Sequence, residues 1–318
     1  MDFEGKEIAL TGGTGFLGKA MTTMLYGAGA NIHMLVRDDE LPHLDYIGYV
    51  RGDVRNYDDV ERLIYESDPD VVIHLAAVAP VGYAYSAPRQ AITTNVLGTL
   101  NVAECCRIHG NIPLLVSSSD KAYGHSITQP VTERTPLNPQ HPYDGSKAAA
   151  DLILQSYAYG YGSDIQVTRC ANLYGPGDVH WNRLIPGYIK AVLMKEKFQI
   201  RSDGTPVRDY LYVEEAAHAH LLLVNLMVQN IVLGFQAWNI SAHCPRNVLD
   251  VIRSINRVMG REAEIEILGE AKEEANKLMV NGEKFHREFK WKPGVNLETG
   301  LEKTAGWLGH YLMIEDGR

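Results

Sequence analysis

Tyr143 and Lys147, in Tyr143-Asp144-Gly145-Ser146-Lys147, stand four residues apart and share one face of any helix that carries them. A phenol with a reference pKa of about 10 is a poor base at neutral pH. A lysine charge beside it, with the positive ring of an oxidised nicotinamide, lowers that value. Tyr143 can then take a proton from a substrate hydroxyl while hydride leaves the same carbon. Helices carry Tyr-x-x-x-Lys by chance, so the pair draws its force from two other stretches. One is Val116-Ser117-Ser118-Ser119-Asp120-Lys121-Ala122-Tyr123-Gly124, which follows an apolar strand read over 112–116. Its hydroxyls therefore sit at the C-terminal edge of a sheet. Ser119 can hold the reacting oxygen by a hydrogen bond, and Asp120 and Lys121 add a carboxylic acid and an amine. A polar loop with a surface charge pair is the plainer reading of the same residues.

The other stretch is Thr11-Gly12-Gly13-Thr14-Gly15-Phe16-Leu17-Gly18, between an apolar strand and a helix-like run from Lys19 to Tyr26. Strand, glycine turn and helix in that order make a dinucleotide pyrophosphate site. Gly12 allows the sharp turn, Gly15 clears space for phosphates, and Gly18 lets helix and strand pack closely. The helix start offers free N–H groups and a positive dipole end to the anion. Gly12, Thr14, Gly15, Phe16, Leu17 and Gly18 are thus cofactor-binding candidates. The second strand ends on Arg37, with Asp38 following, where an acidic residue would bind the ribose diol of NAD. An arginine there pairs with a 2′-phosphate, which favours NADP over NAD, or simply covers the adenine face. Asp53, followed by Val54 after the third strand, can accept a bond from the adenine amine or cap a turn.

These residues need a scaffold, and the chain alternates strands and helices to supply one. Strands read at 7–10, 31–36, 47–51, 71–75, 112–117 and 165–170. Helices read at 15–27, 57–66, 88–109 and 143–160. That order implies an α/β fold, a Rossmann-type doubly wound parallel sheet, over residues 1–172. Residues 173–318 read as a smaller mixed α/β substrate lobe, partly interleaved with the first. There, helices read at 186–195, 213–227, 247–259 and 297–312, short strands at 198–201, 236–240 and 263–267, and a loop at 175–186. The 318 residues are 45% apolar and carry a formal net charge of −9, which argues against nucleic-acid or anionic-membrane partners. The four cysteines show no metal-ligand spacing, so no metal is expected. The N-terminus lacks the regions of a signal peptide and no run is long enough to span a membrane, so a cytoplasmic protein is expected.

With the glycine turn, serine run and Tyr-Lys pair in place, the chain resembles an extended short-chain dehydrogenase/reductase of the nucleotide-sugar epimerase/dehydratase family. His74-Leu75-Ala76-Ala77 is similar to that family's fourth-strand segment beside the cofactor, and Asn95-Val96-Leu97-Gly98-Thr99 to its central-helix motif. Arg169 through Gly177, Arg208-Asp209-Tyr210-Leu211-Tyr212-Val213 and the tail from Phe289 to Trp307 are similar to its later motifs. The resemblance implies that Ser119, Tyr143 and Lys147 are catalytic and that Lys147 also holds the nicotinamide ribose. It adds Leu75, Ala76, Ala77 and Asn95 to the cofactor site. It gives Asn172 and Arg208 to the substrate diphosphate, with Arg183 a further candidate at the nucleotide end. It also implies a homodimer built across the helices at 88–109 and 143–160.

Within the family, dehydratases place an acid directly after the Ser/Thr, followed by a second ionisable residue. Ser119-Asp120-Lys121 has that form and looks most like CDP-glucose 4,6-dehydratases. In that reading C4 is oxidised, water leaves across C5–C6 and hydride returns to C6. Asp120 serves as the acid for the departing 6-hydroxyl and Lys121 as the base at C5. A 4-epimerase, a 5,6-dehydratase returning hydride to C4, and a non-catalytic cofactor-binding sensor are the competing readings.

Overall fold

A computed structural model of the chain describes residues 1–37, 47–124, 129–270 and 275–315. Asp38 lies outside the described residues. A seven-stranded sheet forms the centre. It takes β1 (Glu7–Thr11), β2 (Asn31–Val36), β3 (Gly48–Arg51), β4 (Val71–His74), β5 (Leu114–Ser117) and β6 (Ile165–Cys170) from the first half. The spatial order is β10-β6-β5-β4-β1-β2-β3, where β10 (Phe235–Ile240) arrives from the second half of the chain. Every pairing in it is parallel. A parallel sheet is covered on both faces, and β4 and β6 are buried at every residue, as that requires.

Two apolar layers cover it. On one face lie α1 (Phe16–Gly27) and α8 (Val213–Val228), through Met21, Leu25, Ala216 and Val224. On the other lie α2 (Tyr57–Ser67), α5 (Gly98–Ile108) and α6 (Pro142–Tyr161), through Val60, Leu63, Val102 and Leu154. Asn56 caps α2 by accepting the Asp58 N–H, as Asn commonly does.

The helix expected over 88–109 is present without a gap but is not α-helical throughout. After α3 (Val81–Ser86) and α4 (Pro88–Ile92) come five residues of π-helix, Thr93–Leu97, and only then α5. A π turn is wider than an α turn and often marks a functional site. Here it carries Asn95.

The second lobe is a mixed sheet, β11-β9-β13 with β7 also on β9, from β7 (Asn172–Tyr174), β9 (Val207–Tyr212), β11 (Pro245–Asn247) and β13 (Lys277–Leu278). A parallel pair, β8 (Phe198–Ile200) and β12 (Ile265–Ile267), lies beside it. Tyr174, Tyr188, Tyr210, Ile252 and Leu301 fill a core with α7 (Leu184–Met194), α9 (Val248–Met259) and α11 (Leu297–Glu315). Helix α10 (Glu283–Phe289) packs back on β10 through Phe285 and Trp238. No helix among the described residues is long and apolar enough to cross a membrane, and no group of three or more potential metal ligands occurs among them.

Candidate active site

The glycine turn leaves β1 at Thr11 and enters α1 at Phe16. Gly12 has φ +73°, and a Cβ there would stand 2.5 Å from the Ala76 amide nitrogen. A Cβ on Gly18 would fall on the Gly12 carbonyl oxygen and on Gly13. Backbone and helix thus approach as closely as the sequence predicts, with Thr14, Phe16 and Leu17 filling the positions between. Gly15 is the N-cap of α1; no side chain caps this end and its first turn has no acidic residue. The start of α1 therefore keeps donors and a positive dipole end suited to a pyrophosphate. These features fit a dinucleotide cofactor.

Leu75 N–H donates to the Thr11 carbonyl at 3.0 Å and Ala76 N–H to Thr11 Oγ1 at 3.4 Å, which sets Leu75, Ala76 and half-buried Ala77 beside the turn. Arg37 is exposed just past β2, within electrostatic range of Asp53. Both Asp53 oxygens are taken by Arg55: Oδ1 accepts from its N–H and Nε at 2.9 Å, and Oδ2 from Nη2 at 2.6 Å. That arrangement matches the turn reading of Asp53 and holds its carboxyl below the ordinary carboxylate range. Val54 is buried, and its carbonyl accepts from Asn101 Nδ2 at 2.9 Å. An open groove of about 900 Å³, lined by Asp53, Arg55, Arg89, Thr93 and Leu97, runs alongside; none of the catalytic candidates lines it.

The π segment turns Asn95 inward. Its Oδ1 accepts the Val78 N–H at 2.7 Å, and its Nδ2 donates to Val78 O at 3.2 Å and to Ser146 Oγ at 2.8 Å. Ser146 Oγ in turn donates to the Tyr143 carbonyl at 2.7 Å. Asn95 thereby ties the loop after β4 to the first turn of α6. Pro142 opens α6, and Tyr143 and Lys147 share its inner face, both buried.

Tyr143 is hydrogen-bonded to Ser119. Burial pushes its phenol up to about 12, opposite to the lowering expected from the sequence; the Ser119 bond and the Arg183 charge pull it partly back. Lys147 Nζ donates to Ser117 O at 2.8 Å, and burial brings its ammonium down to about 8. Asp120 and Lys121 lie in a 3₁₀ turn, Asp120–Tyr123, capped by Ser119 Oγ, which accepts the Lys121 N–H at 3.2 Å. Ser119 Oγ also donates to Asp120 Oδ1 at 3.1 Å. Asp120 is only 3% exposed, and burial raises its carboxyl above the ordinary range against the charges of Lys121 and Arg208.

From the second lobe, Arg208 on β9 is buried within electrostatic range of Asp120, and its Nη1 donates to the Val207 carbonyl at 2.9 Å. Arg183 stands at the N-cap position of α7 and donates from Nη1 to Asp178 Oδ2 at 3.2 Å. Asn172 begins β7, half-buried and in register with Tyr210. Ser119, Asp120, Lys121, Tyr143, Lys147, Arg183 and Arg208 therefore converge on one region at the C-terminal edge of the sheet.

Two residues outside the sequence reading support it. Asp178, 1% exposed, anchors Arg183 and accepts the His180 N–H at 3.1 Å; an Asp between glycines and an arginine was the available signal. His74 is buried between Thr11 Oγ1, 2.7 Å from Nδ1, and Thr99 Oγ1, 3.0 Å from Nε2. Thr99 Oγ1 gives its proton to the Asn95 carbonyl at 2.7 Å, so it accepts from His74 Nε2–H. Nδ1 then accepts from Thr11. The ring is neutral, and burial with the Lys147 charge brings it down to about 3.

Known proteins share both sequence and architecture with this chain. The family model for the NAD dependent epimerase/dehydratase family matches residues 8–240. A dTDP-glucose 4,6-dehydratase of Mycolicibacterium smegmatis is 31% identical over 94% of this chain and 92% of its own length. A Bacillus anthracis dTDP-glucose 4,6-dehydratase solved with NAD superposes with a TM-score of 0.82 at 28% identity, covering 97% of each chain. A Thermotoga maritima UDP-glucose 4-epimerase solved with UDP-glucose gives 0.88 at 25% identity, covering 96% of this chain and 99% of the other. The chain belongs to the NAD dependent epimerase/dehydratase family.

Proposed function

We propose that the protein is a nucleotide-sugar 4,6-dehydratase acting with a bound nicotinamide dinucleotide. The observation that carries this reading is Asp120: a buried carboxyl next to Ser119, raised by burial above the ordinary carboxylate range and sharing one turn with the Lys121 amine. An epimerase needs no such pair beyond Ser119, Tyr143 and Lys147. The dehydratase name of the Mycolicibacterium smegmatis relative supports the same choice.

A bound nicotinamide would accept a hydride and return it. Tyr143, steadied by Ser119, takes the proton of the C4 hydroxyl, and the Lys147 charge favours the phenolate. Oxidation at C4 makes the C5 proton acidic. Lys121 removes it while Asp120 protonates the departing 6-hydroxyl. Asn172, Arg183 and Arg208 hold the substrate's diphosphate and nucleotide end, where a guanidinium fork matches phosphate oxygens. A 4-epimerase is the second reading, favoured by the likeness to the Thermotoga maritima enzyme. Mass analysis of products from a panel of nucleotide sugars separates them. Loss of water supports the dehydratase, an isomer of equal mass supports the epimerase, and no turnover supports a sensor.

Arg37 supports NADP, and the NAD of the Bacillus anthracis structure supports NAD. Mass identification of the nucleotide released on denaturation decides between them. A cytoplasmic homodimer completes the proposal. Ile92, Leu97 and Leu152 are exposed apolar residues along α4, the π segment and α6, the helices expected to pair. A monomer in sedimentation at micromolar concentration would count against the dimer.

A further inference from the structure

We propose that Arg169, acting through Tyr123 and Asp151, is a positioning residue that holds the turn bearing Asp120 and Lys121 in register with the helix bearing Tyr143 and Lys147. Arg169 lies on β6, beneath the active site, and is 5% exposed. Its Nε and Nη2 donate to Asp151 Oδ2 and Oδ1 at 2.8 and 2.9 Å, a bidentate grip. Its Nη1 donates to Tyr123 Oη at 2.8 Å, and the guanidinium sits 4.9 Å from the centre of that ring. Tyr123 Oη then donates to Asn239 Oδ1 at 2.7 Å.

The two partners lie on the two catalytic segments. Tyr123 closes the 3₁₀ turn that Asp120 opens. Asp151 is one helical turn beyond Lys147 on α6, with Tyr143 one turn before it. One planar side chain therefore fixes the distance between the acid–base turn and the Tyr–Lys helix. The far end is fixed too: besides accepting from Tyr123, Asn239 donates its N–H to Glu133 Oε1 at 2.9 Å and its Nδ2 to Val131 O at 3.2 Å. Burying an ion pair is weak evidence of stabilisation by itself, because desolvation offsets the attraction. A geometric role explains why the pair is bidentate and why Nη1 makes its shorter bond to the turn, with a longer one to the Glu133 carbonyl at 3.4 Å. A lysine would keep the charge but lose the fork.

Tyr123→Phe is the decisive variant, because it removes one oxygen and leaves the ring and the Arg169–Asp151 pair. Amide exchange at Ala122 and Gly124, whose N–H groups close the turn on Ser119 and Lys121, should quicken by about 10-fold or more, with α6 unchanged. The catalytic arm rests on the dehydratase reading. Elimination should slow by about 10–100-fold with KM within about 2-fold, since small misplacements of reacting groups cost about that much. Reduced nicotinamide and a 4-keto sugar retaining its 6-hydroxyl should build up. Arg169→Lys should give the same phenotype, and the double variant should be no worse than either single, as expected of one device. Unchanged exchange and elimination in Tyr123→Phe would overturn the proposal. So would a fall of melting temperature and kcat together with a rise of KM and no build-up, which is what a merely structural role predicts. The wild-type product is weighed alongside: if it has lost no water, the dehydratase reading fails, and the exchange arm alone judges Arg169.

Discussion

Replacing Asp120 with Asn tests the proposed chemistry at its most specific point. The change keeps shape and hydrogen-bonding capacity toward Ser119 Oγ, 3.1 Å away, and removes the transferable proton. General acids contribute about 10²–10⁴-fold. Asp120 is 3% exposed, so solvent is poorly placed to substitute, and the loss should fall near the middle of that range. A loss of about 10³-fold corresponds to about 4 kcal/mol at 1.36 kcal/mol per decade. Oxidation at C4 depends on Ser119, Tyr143 and Lys147, which remain. Incubation with substrate should therefore accumulate reduced nicotinamide, read by absorbance, and a 4-keto sugar of unchanged 6-hydroxyl content, read by mass. The wild type adds a pH signature. Its acid works while protonated, so elimination should decline as pH rises through the raised Asp120 pKa, and the Asn variant should lack that limb. Normal release of a dehydrated product by the variant would refute the assignment and leave Asp120 as half of a loop pair.

Tyr143→Phe should keep the fold and the bound cofactor yet form no reduced nicotinamide with substrate, measured in a single turnover. Gly18→Ala drives a methyl into the Gly12 carbonyl and should cost about 1–3 kcal/mol in denaturant unfolding together with cofactor retention. Acid should destabilise the protein through His74 and His220, whose pKa values are brought by burial from 6.5 to about 3 and about 4. Both rings bind fewer protons folded than unfolded, so stability falls as pH drops below 6.5 toward those values. The slope of melting temperature against pH in that window should flatten in His220→Gln, and an unchanged slope would remove the histidine from the account.

The candidate catalytic residues were the easiest to read, because Ser119 and Asp120 follow the apolar strand β5 and Tyr143 and Lys147 stand one turn apart at the start of α6. The parallel sheet was equally legible because strands such as Val71–His74, buried on both faces, are apolar throughout. Strand β9 was not, because Arg208 and Asp209 interrupt its apolar pattern. Both are buried, and Asp209 is satisfied by Ser241 Oγ and by the Cys244 N–H, partners more than thirty residues away in sequence. The π segment within the helix at 88–109 was hidden for a different reason. One added residue per turn leaves the apolar spacing of Thr93–Leu97 compatible with an α-helix, and only the contacts of Asn95 reveal the wider turn.

That wider turn also links the two halves of the candidate site. From the glycine turn, hydrogen bonds pass from Thr11 through His74 and Thr99 to the Asn95 carbonyl. From the Asn95 side chain they continue through Ser146 to the Tyr143 carbonyl. A regular α-helix through Asn95 would point its carboxamide elsewhere and open this chain at its middle. With His74 as the neutral Nε2–H tautomer each donor in it has an acceptor. A second proton on His74 would place a buried charge near Lys147. The glycine turn and the helix that carries Tyr143 are thus held by one string of neutral groups. A neutral linkage keeps a second cation away from the buried Lys147 ammonium.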